Sequence, residues 1–241
     1  MKKYVILIFL FVCHASISQL IEGGGSFESA KGGTALGKIK GSYTGNTGAL
    51  YSDSKKYSYN KVHVEGSQYL FKEWKNNGTI IVGNKKYIIF NINFNIDKQA
   101  FMSKIENDSV YVYNINNDDK ILINGRRFQS IYNDIERKNK VYEVIHSGKD
   151  FSVLKEYYVA VIEASSNPML NRPNRKIKQK NKYLVYTTSK EFVNLKLQKK
   201  SILALMEKNN VKAVNEFVGE KKLSYKKEND IIRIFKYYDS L

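Results

Sequence analysis

The chain has 241 residues, a formal net charge of +17, one cysteine and two prolines. This length suits one domain with a proper core, and the lone Cys13 excludes an intramolecular disulfide and a cysteine-built metal site. Only six of the forty basic residues are arginine, which argues against a sequence-specific nucleic-acid reader, because base and phosphate recognition favours the planar donor fork of arginine.

At the start, Lys2 and Lys3 precede an apolar run at 4–12 and a small, polar exit at 13–18. Spanning a bilayer takes roughly 20 apolar residues, and this run is far shorter. A charged start, a short apolar middle and small residues at the exit make a secretory signal peptide over 1–18, cleaved before Gln19. Lipidation at Cys13 is disfavoured, since bulky Phe11 and Val12 stand where a lipobox wants small residues. The expectation is a soluble periplasmic or secreted protein whose mature chain has no transmembrane segment. Removing both N-terminal lysines lowers the charge to +15.

Residues 19–55 follow as a Gly-rich segment, with nine glycines from Gly23 to Gly48. Such a stretch loses much backbone entropy on ordering and buries little, so a flexible tether is expected. It lacks the lysine pattern of a phosphate-binding loop.

Residues 56–197 read as an antiparallel β domain. In "IIFNINFNI", Ile88, Phe90, Ile92, Phe94 and Ile96 alternate with Asn91, Asn93 and Asn95, which predicts one strand with an apolar and a polar face. Further strands are predicted at 62–64, 79–82, 101–105, 110–115, 121–123, 141–146, 153–162, 183–186 and 192–197. Polar turn clusters separate them, among them "NNG" at 76–78, "NNDD" at 116–119 and "HSGKD" at 146–150. Closely spaced strands with no intervening helices imply a meander that must curl or close to protect its edges.

From 198 to 241 the apolar period becomes helical. Ile202, Leu205 and Met206 form one stripe, Val211, Val214, Phe217 and Val218 a second, and Ile231, Ile234, Phe235 and Tyr238 a third. Ser201 and Asn210 are candidate N-caps and Gly219 a candidate stop. The fold expected is mainly β (α+β): a curved or barrel-like antiparallel meander with a short C-terminal helical tail packed on it.

"GSQYLFKEWKNNGTIIVGNKKYIIFNINFNIDKQAF", "DKILINGRRFQSI" and "ENDIIRIFKYYDSL" together resemble an uncharacterised group of exported, β-rich Bacteroidota proteins. The resemblance covers about residues 60–241 and implies export and a single module. Gly66, Tyr69, Leu70, Trp74 and Gly78 would be turn and core positions. That group has no assigned activity, so no catalytic residue follows from the resemblance.

Two histidines lie beyond the leader, His63 and His146. Neither sits in a zinc-ligand spacing, and both are expected at the surface, so no metal or cofactor is expected. No "GxSxG" nucleophile elbow is present. Glu143, Glu156 and Glu163 fall on strands, and a facing pair would suit a carbohydrate-active or other hydrolase. Trp74 and the many tyrosines could line a ligand cleft, while "VYVY" at 110–113 reads as core. The densest basic stretch is "RPNRKIKQKNK", with Arg172, Arg175, Lys176, Lys178, Lys180 and Lys182. Extended geometry puts its four lysines on one face, with Ile177 and Gln179 on the other. Such a row either protects an exposed strand edge or contacts anionic envelope glycans or lipid headgroups. With no catalytic constellation recognised, a non-enzymatic binding or structural role in the envelope is expected. The alternatives are the hydrolase and an immunity or inhibitor protein for a toxin.

Overall fold

The structure, a computed structural model, describes residues 48–52, 64–104, 109–117, 119–165, 167, 169 and 174–241. The expected leader, most of the Gly-rich segment, His63 and Arg172 lie outside the described residues. The molecule is mainly β, with a curled half-barrel sheet and short C-terminal helices, as the periodicity predicts.

The smaller sheet holds four strands in the order β1 (Gly48–Ser52), β7 (Ser109–Tyr113), β6 (Ala100–Lys104) and β5 (Ile92–Asn95). β1 falls inside the stretch expected to be a tether, and pairs antiparallel with β7 from Gly48 opposite Tyr113 to Ser52 opposite Ser109. In the larger, nine-stranded sheet the order is β13 (Phe192–Leu195), β12 (Arg175–Thr187), β11 (Phe151–Ile162), β10 (Lys138–Ser147), β9 (Arg126–Asn133), β8 (Lys120–Ile123), β3 (Gly78–Val82) and β4 (Lys85–Ile89). The ninth strand, β2 (Val64–Glu65), pairs parallel with the start of β12. From β8 to β13 the chain is an antiparallel meander.

The "IIFNINFNI" run is not one strand. Asn91 adopts φ 55°, a left-handed conformation that asparagine tolerates better than most residues, and the chain turns there from β4 into β5. This break reverses the expected faces only in β4, where Ile89 is buried and Ile88 and Phe90 are exposed; in β5 Ile92 and Phe94 are buried as expected, and Asn93 and Asn95 are fully buried as well. Asn93 offers its amide in place of a neighbouring strand. It accepts from the Phe71 N–H at 3.1 Å and donates to the Phe71 carbonyl at 2.8 Å. Asn76 does likewise, donating to the Ile92 carbonyl at 3.0 Å and accepting from Asn124 at 2.8 Å. These bonds strap residues 67–77 across the joint between the sheets. One end of the strap is Gly66 (φ 88°), where an added Cβ would lie 2.1 Å from the Ile177 carbonyl oxygen, so only glycine fits.

β9 is absent from the sequence expectation. Asn124 and Gly125, at φ 51° and 78°, form the tight turn that folds it back onto β8.

One core lies between the sheets, where Phe94 and Phe101 of the small sheet meet Ile80, Ile121 and Phe128 of the large one. The Phe94 ring sits 5.0 Å from Phe101 and 6.1 Å from Phe128. Tyr111 and Tyr113 are buried here too, so "VYVY" is core. A second core forms where α1 (Lys199–Leu203), α2 (Val211–Glu220) and α3 (Glu228–Tyr238) cover the same face nearer β13. Ile202, Val214, Val218, Ile231, Ile234 and Phe235 pack there on Ile145, Phe151, Val153, Val185 and Leu195.

The helix ends differ in detail from expectation. Ser201 lies inside α1, whose N-cap is Gln198. Asn210 does occupy the α2 cap position, but its side chain makes no capping bond. Gly219 is inside α2. Lys222 takes the left-handed position instead (φ 51°), and the Leu223 N–H closes onto the Val218 carbonyl at 2.9 Å. Leu223 packs on the helical core, and that contact fixes the end of the helix.

Phe235, fully buried on Phe151 at 5.4 Å, is the key contact of α3. Phe235→Ala should lower unfolding free energy by about 3–5 kcal/mol, the usual range for losing a buried phenyl. Denaturant melts of the two proteins measure it. An unchanged midpoint would make α3 an appendage.

Candidate functional site

Two buried ionic networks occupy opposite faces of β10 and β11. On the covered face, between the two apolar cores, Arg126 grips Glu143 through two bonds of 2.7 Å, and the Tyr157 hydroxyl donates to Glu143 at 2.6 Å. The guanidinium lies over the Phe71 ring at 5.1 Å. Beside it, Glu228 at the start of α3 accepts from Lys155 at 2.8 Å and from the Tyr183 hydroxyl at 2.5 Å. Burial opposes charge on Arg126 and Glu143. Their mutual pair outweighs it, so the guanidinium pKa is raised and the carboxyl pKa lowered from ordinary values. Burial together with carboxylate neighbours pushes both tyrosine hydroxyls up.

The opposite face carries the second network. Lys140 donates to Glu156 at 2.5 Å and to Glu136 at 2.6 Å, and Lys182 lies 3.2 Å from the other Glu156 oxygen, an ion pair without hydrogen-bond alignment. Burial works against the Lys140 charge, but Glu136 and Glu156 together hold its pKa above the ordinary value.

This second face is cupped. Phe192 of β13 stacks on Tyr142 of β10 with ring centroids 5.3 Å apart. Three strand spacings on a flat sheet would separate those positions by about 14 Å across the strands alone, before their offset along the strands is added. Above Tyr142, Leu154 and Leu184, the cup opens into a cavity of about 520 Å³. Gln129 and Ile131 of β9, Val144 of β10, Ser152 and Leu154 of β11 and Tyr186 of β12 line it.

Below the cavity runs the lysine row. β12 is extended throughout, and its register sets Lys182, Lys180, Lys178 and Lys176 opposite Glu156, Tyr158, Ala160 and Ile162. With side chains alternating, the four lysines share the cupped face, while Ile177 and Gln179 take the other. Lys176 pairs with Glu65 at 3.0 Å and Arg175 with Glu163 at 3.3 Å. Lys178 and Lys180 are exposed and have no carboxylate partner among the described residues. On its outer side β12 is paired by β2 at 175–176 and by β13 at 183–186, and no strand of the described residues pairs with it along 177–182.

Glu143 faces the covered side and Glu156 the cup, so these carboxylates stand back to back. They do not flank a common space, which a glycosidase pair must do. Glu163 is exposed on its ion pair with Arg175. Trp74 is half-buried, edge-on to Tyr69 at 4.7 Å.

His146 is not at the surface. A β-bulge between Val144 and His146 shifts the alternation, and the imidazole stacks on Phe235 at 4.8 Å. Its Nε2 lies 3.6 Å from Asp239 Oδ1. Among the described residues, no three His, Cys, Asp or Glu side chains form a metal-binding group, and no helix is long and apolar enough to cross a membrane.

Sequence reasoning found the lysine row but missed the cup. The one signal that led there was "NG" at 124–125, which announces β9 and with it Gln129 and Ile131. No known protein family, curated protein or solved structure matches the chain.

Two pH effects follow. Glu143 has a lowered folded pKa, so its stabilisation is present above the ordinary value of 4.5 and is lost as pH falls through the folded value. Glu143→Gln should flatten this acid limb and cost about 3 kcal/mol at neutral pH, the low end for a broken buried pair because Arg126 is partly exposed. Urea titrations at pH 7 and pH 4 test it, and an unchanged acid limb contradicts it. For His146 it is burial that lowers the pKa, partly offset by Asp239 and reinforced by Arg127. Its contribution is therefore full above about 6.5 and declines below it. His146→Phe should remove the loss of stability that this imidazole gives the parent as pH falls below about 6.5; a loss of equal size in both proteins contradicts this.

Proposed function

We propose that the protein is an exported envelope protein of the Bacteroidota group it resembles, with a non-enzymatic role, and that it holds an anionic polymer or surface on its cupped face. One observation carries this reading: Lys178 and Lys180 stand exposed and without carboxylate partners among the described residues, while Lys140, Lys176, Lys182 and Arg175 around them are paired. Two uncompensated cations about 7 Å apart on one sheet face attract anions with little competition from their own surroundings. The same lysines also discourage pairing along the open side of β12. That role needs charge at the edge. It does not call for a row beside the exposed Tyr158 ring and below a cavity.

Retention on heparin and on phosphatidylglycerol vesicles, compared between the parent and a Lys178→Gln/Lys180→Gln variant, tests the reading. Both residues are exposed and make no ion pair with a described residue, so the variant should fold. Two lost charge contacts of about 0.5–1 kcal/mol each should weaken binding about tenfold, and rising salt should weaken the parent in the same direction. Equal binding by the two proteins, or no binding by the parent at low salt, leaves only edge protection.

A further inference from the structure

We infer that the cavity at the head of the cupped face is a sugar-ring subsite, and that the ligand is an acidic oligosaccharide whose anionic groups continue down to Lys180 and Lys178. This rests on the anion-binding reading above and names the ligand class that the same face selects.

Size and chemistry both point to it. At about 520 Å³ the cavity lies within the roughly 300–1,000 Å³ of small-molecule sites. Val144 and Leu154 give it a small apolar floor, Gln129 and Ser152 offer an amide and a hydroxyl, and Tyr186 adds a phenol ring. A pyranose has this same mixture, with apolar C–H faces and hydroxyls around the edge. Aromatic side chains with a polar tip meet both. A fatty chain would leave the amide and hydroxyls without partners. The two charged residues of the lining, Asp134 and Lys190, are of opposite sign, so the cavity has no net charge and sets no charge requirement on the ring it holds.

The anionic requirement arises further along. On β11 and β12 the rungs below the cavity are Leu154 with Leu184, Glu156 with Lys182, Tyr158 with Lys180 and Ala160 with Lys178. Lys182 is neutralised by Glu156. The first uncompensated cation is thus Lys180, directly across from Tyr158, which is 41% exposed. An aromatic face beside a free ammonium suits a second ring that carries a carboxylate or sulfate. Tyr186 and Lys180 are six residues apart on β12, about 20 Å, so a chain of several sugars is needed to engage both ends. Curvature separates this ligand from a lipid surface. A planar bilayer cannot enter a face whose strands β10 and β13 bring their rings together, whereas a flexible chain can lie along it.

Calorimetric titration with hexagalacturonate, maltohexaose and phosphatidylglycerol vesicles tests this, using the parent, Gln129→Ala/Ser152→Ala and Lys178→Gln/Lys180→Gln. The expected result is that hexagalacturonate binds the parent and each double variant weakens it about tenfold. The Gln129→Ala/Ser152→Ala variant should still bind inorganic polyphosphate normally, since the lysines are intact and polyphosphate has no sugar ring. Unfolding midpoints of both variants should match the parent, because all four positions are at least partly exposed. If hexagalacturonate binds that variant as tightly as the parent, the subsite is refuted while the anion-binding reading stands. Maltohexaose binding as tight as hexagalacturonate would refute the acidic assignment. Vesicles that displace hexagalacturonate would make the occupant a lipid surface and overturn the inference. No binding of hexagalacturonate to a parent that does bind polyphosphate would also overturn it.

Discussion

The large sheet curls so tightly that β10 and β11 are buried on both faces, and most of the structure answers to that constraint. Residues Lys140, Val141, Tyr142 and Glu143 are consecutive and all buried, and on β11 Val153, Leu154, Glu156 and Tyr157 are buried around the half-buried Lys155. Alternation then sends a carboxylate inward on each side. An unpaired buried carboxylate is costly, so each has a cation from a flanking strand: Arg126 of β9 for Glu143, and Lys140 of β10 and Lys182 of β12 for Glu156. These pairs fix how β9 to β12 sit against one another. They also give α3 its starting point, because Glu228 takes up Lys155 and Tyr183 at the end of the covered network.

The charged interior is therefore architectural in its connections. Both Glu143 oxygens are taken by Arg126, and one of them also by Tyr157. Both Glu156 oxygens face lysines. What remains open to a ligand is the cup itself, where the floor is apolar and the rim neutral, and the lysine row that leads away from it. The basic composition reads differently in this light. Much of the positive charge near the site is answered by neighbouring carboxylates; among the described residues Lys190 at the cavity and Lys178 and Lys180 along the row are not.

The class of fold was legible because strand and helix periods differ and the polar clusters between strands are short. Its details failed where one residue overrode a pattern. Asn91 breaks a perfect alternation, since a left-handed residue turns the chain into a second sheet, exposes Ile88 and Phe90 before the turn and buries both faces of β5 after it. The bulge before His146 likewise turns a histidine expected outside into the helical core. β9 went unread although its "NG" turn is a strong hairpin signal, because "RRFQSIYN" alternates poorly when Phe128 and Ser130 share the buried side. β1 was hidden by the glycines around it. As for the site, the lysine row is local in sequence and so was readable. The cup is assembled from β9, β10, β11 and β12, and concavity is a tertiary property that no single segment announces.

The central claim is that ligand binds on the cupped face while the buried carboxylates take no part. Backbone amide chemical shifts of the isotope-labelled protein, followed during titration with hexagalacturonate, test it most directly. The account predicts perturbations centred on Gln129, Ser152, Tyr158, Lys178, Lys180 and Tyr186, with Arg126, Glu143 and Glu228 unmoved. Shifts largest at Arg126, Glu143 and Glu228, with the lysine row silent, would contradict it and place the site between the two apolar cores instead.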